Sequence, residues 1–477
     1  MSIEILGLVV IALGCGGWLA GTGMTVTVFL VSTLLGAAAA IVLTSLGMAN
    51  VQPAHLLLAF LLCSVATRRS TALVVGRSLA FPNEGFWLLL TAIYALVSAI
   101  LLPRLFAGST YVFAIARTEV GPGIVSMPLG PTSGNITQPV YFLGDVLCFF
   151  AFLAYGSDPS AFKATVRAVL VCTAVNLCFA VLDVGGWLLH LDLLSPVRNA
   201  NYRMLDEVTA GGLKRIVGSF PEASTFAYCT LGWFAFCTRL WLAGIQSRIT
   251  GPLALLSFVS LLFSTSSTGY AGTVGFLIGL YFISLGGMLT RPVSRNTLAL
   301  IALMPVAAAV CILAVRLDQP LWDAVQQMID STILNKMATQ SGVERAMWNA
   351  QSLVNFADTH WLGAGVGSVR ASSFPLAVLG NIGAIGAVTY GAFLLRLFWR
   401  GPGRWRQPYP AACQSAARWA CFAELVGASV SGSFIDLGLP FFAFAGLACA
   451  GPLPVPAVQR RAPKPVEGAR SAEVPVT

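Results

Sequence analysis

Five side chains of this chain have types and settings suited to chemistry: Arg215, Glu222, Arg345, His360 and Arg370 all lie in polar stretches between long apolar runs. An ionisable group beside a membrane-length run is costly to keep and calls for a reason. Each arginine carries a planar fork that matches a phosphate or diphosphate, and diphosphate-linked lipids are the natural phosphate carriers at a membrane surface. Glu222 and His360 are the groups able to take or give a proton. Glu222 lies in Lys214-Arg-Ile-Val-Gly-Ser-Phe-Pro-Glu-Ala-Ser-Thr-Phe226, where Pro221 favours a helix start with Ser219 as its cap. Free backbone N–H groups and Arg215 would then face one pocket. Glu222 in the first turn has a second reading, as a partner of the helix dipole or of Arg215.

His360 follows Asn355 by four residues and precedes Gly363-Ala-Gly-Val-Gly367, where glycines allow close backbone approach to a ligand, and Arg370 lies in the same run. Its competing reading is an interfacial histidine; His55 and His190, in or beside apolar spans, read as structural. Upstream, Glu344 to Phe356 is expected to form a short helix with Arg345, Trp348, Ser352 and Asn355 near one face. Trp348 suits a sugar-stacking platform as well as a membrane-interface anchor. Val325, Met328, Ile329, Ile333 and Met337 have the spacing of an amphipathic helix over 323–337 lying on the membrane. In the turn-rich stretch Met127-Pro-Leu-Gly-Pro-Thr-Ser-Gly-Asn-Ile-Thr-Gln138, Asn135 and Gln138 are candidate partners for sugar hydroxyls; a loop held by its turns is the plainer account. No His, Cys, Asp and Glu spacing matches a metal site, so neither metal nor cofactor is expected.

The elements that carry these residues are set by composition. Hydrophobic residues make up 57% and charged residues 10% of 477, and the mean hydropathy is +0.80, too apolar for a soluble globule. The expected fold is all-α and polytopic, with about thirteen apolar runs, hence about 12–14 spans. Residues 1–453 read as one integral membrane domain that includes a large outer loop at 316–373, and 454–477 as a disordered tail. Arg68, Arg69, Arg77, Lys163, Arg167, Arg248, Arg291, Arg295 and Arg396 to Arg406 fall in alternate loops, which makes those loops and the tail cytoplasmic. The loops 107–138, 191–221 and 316–373 then face the periplasm. This arrangement accounts for the net charge of +9 without nucleic acid. The eleven cysteines lie mainly in apolar runs without CxxC spacing and read as small packing residues. No basic region precedes the first apolar run, which argues against a cleaved signal peptide.

In order along the chain come Arg215-x-x-Gly-x-Phe-x-Glu-x-Ser224, Ser264-Thr-Ser-Ser-Thr-Gly-Tyr270, Arg345-x-x-Trp348, Leu362-Gly-Ala-Gly-Val-Gly-Ser368 and Leu379-Gly-Asn-Ile-Gly-Ala-Ile-Gly386. This series, covering about residues 125–400, resembles the O-antigen ligase/polymerase superfamily. The resemblance implies a metal-independent glycosyltransferase of the GT-C type in the bacterial inner membrane. Its donor would be an undecaprenyl-diphosphate-linked oligosaccharide, with membrane lipid around it and a chain-length regulator protein as a further partner. By position Arg215 and Arg345 would hold the diphosphate; Arg370 as a third arginine, and Glu222 or His360 as the group that takes the acceptor's proton, follow from their own types and settings, since His360 lies upstream of the glycine run. The ligase branch carries His-Asn shortly after its glycine run, where this chain has Ser372-Ser373. The polymerase branch therefore fits better than the ligase branch. From another class, a transporter or flippase would call for charges in mid-span and paired repeats; the charges lie mostly at span ends, with Asp145, Asp183, Glu424 and Asp436 as the exceptions.

Overall fold

The computed structural model describes residues 2–43, 49–68, 70–118, 121–200, 214–288, 294–317, 340–399 and 407–452, with isolated positions between them. The helix expected over 323–337 and the tail 454–477 lie outside the described residues. Among those described, the chain is built of α-helices: α1 (Ile5–Ala20), α2 (Thr22–Ser32), α3 (Pro53–Ala66), α4 (Thr71–Ser78), α5 (Glu84–Leu105), α6 (Gly134–Tyr155), α7 (Pro159–Leu189) and α8 (Ala223–Leu242). There follow α9 (Ser247–Phe263), α10 (Ser267–Met288), α11 (Arg295–Leu317), α12 (Gln340–Asp358), α13 (Phe374–Trp399), α14 (Pro408–Ser431) and α15 (Gly438–Cys449).

Five of these, α5, α6, α7, α10 and α13, are long and apolar enough to cross a membrane, and a sixth span results if α3 and α4, bent by 106°, count as one broken crossing. The thirteen apolar runs thus do not become thirteen full-length helices. The run 24–48 shows why. Its helix ends at Ser32, and Ala37 to Ala40 form a fully buried irregular segment, held by bonds from Ala37 N–H to Ser219 O and from Ala40 N–H to Val51 O. Beyond it, β1 (Ser2–Ile3), β2 (Ile41–Leu43) and β3 (Ala49–Val51) make a small antiparallel sheet. Residues 107–138, read as an outer loop, hold a hairpin: β4 (Tyr111–Thr118) pairs with β5 (Gly121–Pro128), Ile115 opposite Ile124.

Aromatic packing fills the centre. Phe142, Phe149, Phe152, Tyr155, Trp233, Phe236, Tyr390 and Phe393 are buried between α6, α8, α13, α14 and α15. Small residues let the helices close: a Cβ on Gly446 of α15 would lie 2.4 Å from the Phe149 carbonyl oxygen of α6. Outward, Ile93, Val97, Ile100 and Leu101 of α5 and Phe282 and Ile283 of α10 are at least 46% exposed, an apolar surface suited to lipid. The chain is a helical membrane protein.

The connections sort to two ends. At one, Arg68 pairs with Asp158 at 2.7 Å, Asn296 donates to Trp241 O, and Gln414 donates to Ala450 O, which gathers the turns after α3, α6, α8 and α15. At the other, Asn135 donates to Val366 O, and Thr268 donates to Ser431 Oγ at 2.7 Å. The candidate residues all belong to this second end.

Candidate functional site

At the second end a cavity of about 440 Å³ opens between the starts of α3, α8 and α15 and the end of α14, with Arg370 from the loop before α13 on its wall. Sequence dictates its edges. Pro53 sits in the first turn of α3, where its missing N–H costs nothing, and the Gly432 to Leu437 link between α14 and α15 is pinned by Asp436 accepting from Gly438 N–H at 2.6 Å.

Glu222 lies at the N-cap position of α8, with extended backbone, and the helix begins at Ala223 rather than at Pro221. Its side chain makes no capping bond; instead Oε1 accepts from the hydroxyls of Ser224 and Thr225, all three lining the cavity. The expected cap does not form. Ser219, expected as the cap, donates to Leu34 O at 2.6 Å, and Glu222 sits before the first turn rather than in it.

Arg370 is held between aromatic rings, its guanidinium carbon 5.0 Å from the Trp348 centroid and 5.7 Å from that of Phe434. Its Nε is buried without a hydrogen-bond partner. Burial pulls its pKa below the ordinary arginine value, the nearby Glu222 charge opposes this, and the nearby Arg345 charge adds to it. A guanidinium stays cationic under such shifts. The helix expected from Glu344 to Phe356 is α12, Gln340–Asp358, and it places Arg345 one turn before Trp348. Arg370, Arg345, Trp348 and Glu222 therefore form one group, although Arg370 was expected only as a third arginine.

Arg215 lies on the same end, off the cavity wall. It donates to Thr265 O at 3.4 Å, in the turn before α10, and α10 in turn reaches the cavity rim through the Thr268–Ser431 bond. The segment around it is stapled by the buried Asp183 of α7. That carboxylate accepts from Val217 and Gly218 N–H at 2.8 and 3.1 Å and pairs with Arg198 at 2.6 Å and Lys214 at 3.6 Å. Asp183, one of the four mid-span charges, is thus a structural tie.

His360 is not brought to this group. It is exposed at the end of α12, in left-handed backbone (φ 52°), edge-on to Phe106 with ring centroids 6.0 Å apart. The glycines after it do permit close backbone approach, but to the protein itself. Gly363, Gly365 and Gly367 all have φ between 86° and 92°, and a Cβ on them would lie 2.6 Å from Asn381 O, 2.7 Å from Ser98 O and 2.2 Å from Gly134 O. Asn381 holds this loop, accepting from Gly367 and Val369 N–H and donating to Val369 O, while Gly383 (φ 59°) kinks α13 to admit it. Asn135 belongs to the same scaffold. Its amide donates to Val366 O and Ser368 Oγ and accepts from Thr132 N–H, so its side chain is engaged within the protein. Gln138 is half-buried and does not line the cavity. Ser352 and Asn355 face Leu376 O, Tyr111 O and Thr110 rather than a ligand.

Three cavity groups were absent from the expected site: His55, Asp145 and Asp436. Asp145 and Asp436 carried a legible signal, as charges inside apolar runs; His55 carried none, being a single histidine at a helix start. No family model matches the chain, and neither does any curated protein.

Proposed function

We propose that this protein is a polysaccharide polymerase of the bacterial inner membrane. It transfers glycan repeat units from undecaprenyl diphosphate onto an acceptor glycan at the periplasmic face, as expected of the GT-C-type superfamily that its motifs resemble. The observation that carries this reading is the cavity that joins a cation with an unpartnered Nε, Arg370, to a carboxylate, Glu222, at a membrane protein's loop end. Arg370, with Arg345 beside it, binds the donor diphosphate and stabilises the charge that builds on it as the anomeric bond breaks. Arg215 supports the same field from the neighbouring turn. Glu222 is the better placed of the two expected bases to take the acceptor hydroxyl's proton, since it lies on the cavity wall and His360 does not.

Deleting the gene tests this against the ligase and flippase readings. A polymerase deletion leaves single repeat units on the carrier or acceptor and no long chains. A ligase deletion instead accumulates long carrier-linked chains, and a flippase deletion traps single units at the cytoplasmic face. Mass analysis of carrier-linked glycans, with the membrane face they occupy, separates the three. Long carrier-linked chains after deletion would overturn the polymerase reading.

A further inference from the structure

Past Arg370 and Glu222, the cavity's inner lining is rich in acceptors and poor in donors. Asp145 is 1% exposed, and neither of its carboxyl oxygens receives a hydrogen bond. Asp436 is its neighbour on the same lining, and Gly438 N–H gives its bond to Asp436 at 2.6 Å. Nδ1 of His55 is also buried without a partner, its ring packed on Tyr141 at 4.8 Å. The neighbouring donors are already spent: Tyr228 O–H on Leu437 O at 2.7 Å, Thr33 O–H on Leu30 O at 2.6 Å, and Gln52 N–H on Gly36 O.

Buried acceptors left idle are costly, so a lining of this kind is completed by a ligand that brings several donors. The ligand must also fit beside an arginine fork at the same cavity. The three side chains do not converge as a metal-ligand set. A sugar ring supplies hydroxyls in several directions from one rigid body.

We propose that Asp145, Asp436 and His55 form a sugar-recognition subsite, which takes the hydroxyls of the sugar attached to the diphosphate that Arg370 holds. The inference rests on the polymerase reading and deepens it: the donor enters with its sugar inward and its phosphates toward Arg370. Asp145 and Asp436 accept hydroxyl protons in hydrogen bonds, and His55 accepts one more at Nδ1. No bond is made or broken at this subsite. It decides which sugar is accepted.

The test compares two probes on the full-length protein in detergent: undecaprenyl diphosphate itself, and the undecaprenyl-diphosphate-linked repeat units extracted from the deletion strain. Wild type is expected to bind the glycosylated lipid more tightly. Asp145→Asn should weaken binding of the glycosylated lipid about 10–150-fold, the range for hydrogen bonds to a charged group, and leave binding of bare undecaprenyl diphosphate within about two-fold. Asp436→Asn, at a half-buried loop position that tolerates change better, should move the two affinities the same way. Equal loss for both lipids, or unchanged affinity for the glycosylated one in both variants, would overturn the subsite. If wild type binds neither lipid, the polymerase reading fails and the subsite falls with it. If wild type binds both lipids equally, the subsite alone fails.

Discussion

At the residue scale, Arg370 and His360 make opposite predictions, although the sequence offered His360 as a candidate base and Arg370 only as a third arginine. Arg370 is wedged between Trp348 and Phe434 and lines the same cavity as Glu222. Lysine there would keep the charge and lose both the flat face and the two-pronged fork, so Arg370→Lys should impair polymer formation almost as much as Arg370→Ala. Loss of hydrogen bonds to a charged group implies about a 10–150-fold fall in turnover for Arg370→Ala, read as initial polymerisation rate at wild-type expression. A lysine variant at the wild-type rate would remove the phosphate fork from the mechanism. His360 has an exposed side chain and a left-handed backbone that glycine adopts without strain. His360→Gly should therefore leave polymer length and yield unchanged and cost no stability, and a loss of polymer would return the histidine to the chemistry.

At the scale of elements, the glycine loop between α12 and α13 is the part most sensitive to small changes. Gly365 has φ 92° and Gly367 φ 86°, each with a carbonyl oxygen where a Cβ would go. Either residue replaced by alanine should lower the unfolding temperature in detergent, since left-handed strain alone costs about 1–3 kcal/mol before the clash is added. The need for glycine was legible from the run itself. What the loop approaches was not, because its neighbours, Ser98, Gly134 and Asn381, come from α5, α6 and α13, far apart in sequence. The β4–β5 hairpin escaped for a related reason: 107–138 reads as one outer loop between spans, and pairing across it shows only in space. α12 was legible to within a few residues because its amphipathic period is local. At the opposite end, the Asp158 carboxyl sits below its ordinary pKa: partial burial raises it, but bonds from Ser160 and Arg68 outweigh that. A carboxyl depressed in the folded state stabilises above its unfolded pKa of about 3.9 and loses that contribution as pH falls through the lower folded value. Asp158→Asn should thus cost no more than about 1 kcal/mol at pH 7, its partners being partly exposed, and nothing near pH 2, as thermal unfolding at the two pH values would measure.

For the molecule as a whole, everything above depends on which end faces outward. The alternation of basic loops was readable without any structure, because charge near a span end reports its side directly. The number of crossings was less readable, because an apolar run can be used as a buried turn, as at Ala37 to Ala40, or as a short helix, as in α15, and hydropathy is the same in each case. The two ends of the bundle offer a direct test. Ser133 is exposed beside Asn135 at the cavity end, and Gly76 is exposed on α4 at the basic end, with open space where a side chain would go. In a background with the exposed Cys15, Cys63 and Cys178 replaced by serine, Ser133→Cys should react with an impermeant thiol reagent in cells whose outer membrane alone is permeabilised. Gly76→Cys should react only after lysis. The reverse pattern would turn the cavity toward the cytoplasm, where a periplasmic acceptor glycan cannot reach Arg370 and Glu222. It would leave two of the buried carboxylates, Asp145 and Glu424, to be read as parts of a transport path instead.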